Sequence, residues 1–85
     1  MTIVVPVEIS AIHSGVRARA QRLHLSGHGR DDRHALETLN AAVRAWGHGL
    51  AAAGILTDAL NRVGVEWRAE PDDIVVELVA QWAVT

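Results

Sequence analysis

The sequence predicts a single α+β domain spanning residues 1–85, with an antiparallel sheet in ββααββ order and one long and one short helix packed on one face. Three observations carry this. Hydrophobic residues alternate with period two from Thr2 to Ile12. A stripe of Leu36, Leu39, Val43, Trp46, Leu50 and Ala53 then advances in steps of three and four. Alternation resumes after Gly64 and runs to the C-terminal end. Period two puts one set of side chains on one side of a strand, and steps of three and four stack side chains along one helix face.

In the first segment Ile3, Val5, Val7, Ile9 and Ala11 share a face, with Val4, Pro6, Glu8, Ser10 and Ile12 on the other. Pro6 has no N–H for a ladder, which predicts an edge position or a bulge. His13, Ser14 and Gly15 supply hairpin chemistry, and a second strand is expected over 16–26. Its apolar phase switches from Val16, Ala18 and Ala20 to Leu23 and Leu25, which predicts a bulge near Gln21. Asp31 or Asp32 caps the long helix, whose free amides and positive N-terminal field favour a short carboxylate. Gly47 and Gly49 lie within the stripe, so the helix is expected to continue to about Ala53 at a glycine cost of about 1 kcal/mol each. Gly54 has the place of a left-handed C-terminal residue, with Ile55 returning to Leu50. Thr57 is expected to cap a second helix that ends at Gly64. Val65, Trp67 and Ala69 then alternate inward, Pro71 to Asp73 turns the chain, and a last strand is expected over 74–84.

Composition narrows the function classes. The chain has no cysteine, so neither disulfides nor thiolate metal sites can help a domain of 85 residues. Such a domain buries only about 60–65% of its unfolded surface, and association is the remaining source of stability. Three tryptophans stand without Phe or Tyr, so Val, Ile, Leu and Ala must build the core. All eight basic residues are arginine, a pattern in keeping with a GC-rich genome. A net charge of −2 with mixed signs gives no general attraction for phosphate backbones. The N-terminal residues lack signal-peptide character and no apolar run reaches the about 20 residues of a membrane span, so a cytoplasmic protein without a membrane partner is expected.

The stretch LSGHGRDDRH, residues 25–34, gathers most of the reactive side chains. Its main reading is punctuation: glycines to leave a strand and an aspartate to cap a helix. His24, His28 and His34 could converge with Asp31 or Asp32 on a metal, but no established ligand spacing is present. His34 and His48 are about 21 Å apart along one helix and cannot share an ion within a chain. Ser10, Ser14 and Ser26 have no base beside them. Aspartates at the helix start oppose an anion at Gly27 to Gly29. No catalytic, cofactor or metal residue is therefore assigned, and no cofactor is expected. Arg17 and Arg19 share a strand face near Arg22, yet no exposed aromatic platform accompanies them, which disfavours nucleic acid.

Two surfaces point to a protein partner or to a second copy. The last strand is apolar on both faces and longer than the segment 65–70 beside it; its overhang pairs either with the first strand or with another chain, and the second reading is carried forward. Opposite the core stripe, His34, Thr38, Ala41, Ala45, His48 and Ala52 form a small, nearly uncharged face that another helix could approach. With Val79 and Trp82 they make up the expected interface.

Gly29, Arg30 and Asp31, followed by Ala35, Leu36, Leu39, Ala42 and Val43 behind a hairpin, resemble about twenty residues of HicB-like antitoxin domains. The chain departs from that pattern in lacking a proline-rich step after the helix and in its alanine-rich extension. The hairpin VEISAIHSGVRARAQRL is similar to the start of small actinobacterial proteins with a fold like ribosome-hibernation factors. Neither resemblance brings functional residues. The function expected is a small non-enzymatic protein-interaction or regulatory module that self-associates or serves as a subunit of a larger complex. The alternatives are an RNA- or ribosome-associated factor and a histidine-dependent metal protein.

Overall fold

The computed structural model describes residues 1–71 and 73–83. Five strands, β1 (Thr2–Ile12), β2 (Gly15–Ala20), β3 (Leu25–Gly29), β4 (Glu66–Arg68) and β5 (Val75–Trp82), accompany α1 (Asp32–Ala52) and α2 (Leu56–Val63). The chain is a small α+β domain, but its order is βββααββ rather than ββααββ. The added strand arises where a bulge was expected. After Ala20 a 3-10 turn, Gln21–Leu23, buries Leu23, and His24 takes a left-handed conformation at φ 55°. The chain thereby reverses, and β3 returns antiparallel to β2 from Ala20↔Leu25 to Val16↔Gly29.

β1 is the centre of the sheet. Along one edge its C-terminal half pairs with β2, from Glu8↔Arg19 to Ile12↔Gly15, while Thr2, Ile3 and Val4 pair with β4. Along the other edge β5 runs parallel to it from Thr2↔Val75 to Ile9↔Trp82. This corrects two expectations: β5 does not pair with the 65–70 segment, and its inner edge is matched within the monomer rather than by a second chain. Val84, at the end of the expected last strand, Thr85 beyond it and Asp72 of the expected turn lie outside the described residues.

Pro6 is not in an edge strand, and the register explains why it is tolerated. The Val75 N–H donates to the Met1 carbonyl and the Ala83 N–H to the Ile9 carbonyl, so odd-numbered β1 residues bond toward β5 and even-numbered ones toward the opposite edge. On that opposite edge β4 ends at Val4 and β2 begins at Glu8. Pro6 falls in the gap, where no acceptor awaits its missing donor.

The core lies on the odd-numbered face of β1, where Ile3, Val5, Val7 and Ile9 are buried with Ala18, Ala20, Leu39, Val43 and Leu60. The α1 N-terminus is capped as expected: Asp31 Oδ1 accepts from the His34 N–H at 2.8 Å. Its C-terminus closes through Gly54 at φ 74°, with the Ile55 N–H donating to Leu50 O and the Gly54 N–H to Ala51 O, both at 3.0 Å. The same pair of bonds recurs at Gly64, from Val65 to Leu60 and from Gly64 to Asn61. Thr57 is not the α2 cap; Ile55 holds that place without a side-chain bond. The helix Leu56–Val63 instead depends on burying Leu56 and Leu60. Of the segment 65–70 only Glu66–Arg68 is strand: Val65 is buried, the Trp67 indole donates to Asn61 Oδ1 at 3.0 Å, and Ala69 is exposed.

Candidate functional site

The residues expected to form one interface occupy three surfaces. His34, Thr38, Ala41, Ala45, His48 and Ala52 are all exposed along α1, on its side away from the core residues Ala35, Leu39 and Val43. Val79 pairs with Pro6 on the helix-free face of the sheet. Trp82 pairs with the buried Ile9 and therefore projects on the helix side, at the margin of the sheet. No single flat contact covers all eight, so the helix stripe and β5 are separate surfaces.

The β5 margin has the stronger geometry. Val79 is 54% exposed and Trp82 51%, values that leave half of each side chain in water despite strand pairing on the inner edge. The ladder to β1 uses the odd-numbered N–H and C=O groups of β5, as Val75 and Ala83 show. Those of Val76, Leu78, Ala80 and Trp82 consequently point outward. Asn40 Nδ2 reaches the Val76 carbonyl at 3.5 Å. Beyond Val76, Leu78, Ala80 and Trp82 present three successive outward donor and acceptor pairs, the arrangement another strand can extend. Between α1 and β5 a groove of about 490 Å³ is lined by Leu36, Asn40 and Leu78, with the Arg33–Glu37 ion pair at its rim, 3.1 Å from Nε to Oε1.

The LSGHGRDDRH stretch is mainly architectural, though not as a corner. Gly27 and Gly29 are inside β3. A Cβ on Gly27 would fall 2.5 Å from Leu39 N, and one on Gly29 2.4 Å from Ala35 N, so these glycines seat the α1 backbone directly on the sheet. His34 is occupied locally: its Nδ1 accepts from the Arg30 N–H at 3.4 Å and its carbonyl accepts from Thr38 Oγ1 at 2.9 Å. His13, His24, His28 and His48 are exposed. Among the described residues no three His, Asp or Glu side chains gather in a way that could hold a metal ion.

A second surface, considered from the sequence only as a feature for nucleic acid, gains two further residues from the fold. On the helix-free face Arg19 pairs with Ser26 and Arg17 with His28 across β2 and β3, making a four-residue polar patch. The signal was there to be read: residues 9–30 contain four arginines and no Asp or Glu. No helix among the described residues is long and apolar enough to cross a membrane. Comparison with protein-family models, with curated proteins and with solved structures gives no match.

Proposed function

We propose that this chain is a non-enzymatic protein-interaction or regulatory module that self-associates, or joins a larger assembly as a small subunit, by extending its sheet at β5. The supporting observation is the outer edge of β5, where Leu78, Ala80 and Trp82 have no strand partner among the described residues and Val79 and Trp82 are half-exposed. A second copy can meet this edge antiparallel about a twofold axis at Val79. Leu78 then faces the partner's Ala80, Val76 faces the partner's Trp82, and Glu77 faces the partner's Gln81. This register opposes no like charges and buries apolar side chains on both sides.

Two variants test the reading by light scattering across a concentration series. Val79→Glu places two carboxylates opposite each other at the axis. Ala80→Pro removes an outward donor while leaving the bonds to β1 intact. The parent is expected to dimerise and both variants to remain monomeric, with unchanged far-UV dichroism. A parent that stays monomeric throughout, or variants that dimerise like it, would refute the proposal. So would dissociation by Ala45→Glu alone, which would move the contact to the helix stripe.

A further inference from the structure

We propose that the helix-free face of the β2–β3 hairpin binds an extended acidic polypeptide segment whose carboxylates recur at every second residue. This goes beyond the pairing at β5 and rests on different residues.

Charge is segregated along this chain. Residues 9–30 hold Arg17, Arg19, Arg22 and Arg30 without an acidic residue, while the whole chain has a net charge of −2, leaving −6 for the remainder. The fold then concentrates the excess. Arg17 and Arg19 share one side of β2 and flank a hollow of about 210 Å³ that His24, Leu25 and Ser26 complete. Neither guanidinium forms an ion pair with a described residue, in contrast to Arg33 with Glu37 and to Arg68 with Glu70 and Glu77. Arg17 Nε is shut off from solvent and has no acceptor among the described residues. Arg22, by comparison, is committed, its Nη1 donating to the Gly64 carbonyl at 3.0 Å. Two adjacent cations thus lie on the helix-free sheet face with Glu8, across from Arg19, as an acidic neighbour but with no ion pair formed among the described residues, which leaves them able to make charge-assisted hydrogen bonds to an external anion.

Spacing selects the anion. Residues two apart on a strand are separated by about 6.4–6.8 Å, so the Arg17–Arg19 step matches alternate side chains of another extended chain. The face offers no aromatic ring for base stacking: Trp67 and Trp82 pair with Ile3 and Ile9 on the helix side, and Trp46 is on α1. Glu8, directly across from Arg19, marks the edge of the patch and opposes any acidic ligand.

The test is fluorescence anisotropy at low ionic strength with a labelled, end-blocked octapeptide of alternating Glu and Thr, its Gln-Thr counterpart, and an oligouridylate of equal length. The Glu-Thr peptide is expected to bind at least about tenfold more tightly than the Gln-Thr control and more tightly than the oligouridylate, with affinity falling as salt shortens the Debye length to about 8 Å. Combining Arg17→Gln with Arg19→Gln should weaken the Glu-Thr peptide about tenfold or more, with far-UV dichroism unchanged. Glu8→Gln should strengthen it about two- to threefold, a gain that misfolding cannot imitate. Equal binding of the two peptides, tighter binding of the oligouridylate, or indifference to both sets of substitutions would overturn the proposal. Val79→Glu and Ala80→Pro report separately on dimerisation, so failure here and failure at β5 are distinguishable.

Discussion

The two margins of the sheet are built differently although the same helix spans both. At the β3 margin, Gly27 and Gly29 bring the α1 backbone into direct contact with the strand, too close for any Cβ. At the β5 margin the helix stands away, leaving a groove above Leu78, a long Asn40 contact to the Val76 carbonyl and a half-exposed Trp82. One margin is a closed seam whose tightness positions the helix. The other has half-exposed apolar side chains and, among the described residues, no strand beyond Leu78, Ala80 and Trp82, the two things a partner strand consumes. Interfaces and cores draw on the same apolar burial, so the margin that the helix covers less is the one with apolar surface left for association.

The comparison breaks most readily at the seam. Gly27→Ala would place a methyl 2.5 Å from Leu39 N and 2.7 Å from Ala35 O, both backbone atoms that no rotamer change can move aside. Forcing extra volume into a packed site costs about 1–3 kcal/mol and occasionally more. A loss of about 3 kcal/mol or more is expected here, measured by urea denaturation at low protein concentration. A loss below about 1 kcal/mol would mean that the helix is not seated on β3.

These glycines show where the sequence was legible and where it was not. The β1 face from Ile3 to Ile9, the Asp31 cap and the Gly54 stop are local features realised at their expected residues, whereas Ala11, expected on the same face, is exposed. The apolar phase switch at Gln21 was visible, but a bulge and a reversal produce the same switch; the outcome turns on His24 accepting a left-handed conformation, which side chains other than glycine rarely adopt. Strand direction was equally hidden, because Val76, Leu78, Ala80 and Trp82 alternate identically whether β5 runs parallel or antiparallel to its neighbour. Of the candidate sites, the two-faced apolar character of β5 could be read directly. Its position at the sheet margin depends on long-range pairing to Thr2–Ile9, and the Arg17–Arg19 patch depends on β3 folding back beside β2.

A pair of leucines sharpens the contrast at intermediate magnitude. Leu39 is fully buried on the sheet-facing side of α1, over β3, whereas Leu78 is only partly buried beside the groove. Leu39→Ala should cost about 3–4 kcal/mol, the usual range for a leucine whose cavity cannot collapse. Leu78→Ala should cost less than half as much in the dilute monomer, because water already reaches the site. Comparable losses by urea denaturation would show that the β5 margin is as closed as the seam.

The smallest effect has the opposite sign and concerns a glycine that seats nothing. Gly49 is exposed within α1, has no positive φ, and a Cβ built on it would meet nothing within 4 Å. Its neighbour Gly47 faces the core, where a Cβ would lie 3.5 Å from Ile3 Cδ1, an ordinary contact. At Gly49 the backbone freedom of glycine only favours the unfolded chain, so Gly49→Ala should stabilise the fold by up to about 1 kcal/mol. For a domain of this size that raises the Tm by about 4–8 °C. Gly27→Ala and Gly49→Ala therefore make the same chemical change with opposite outcomes, since only the first methyl meets another backbone. If Gly49→Ala stabilised the dilute monomer but weakened the dimer, the alanine-rich end of α1 would be part of the contact, and the assembly would use the helix stripe together with β5.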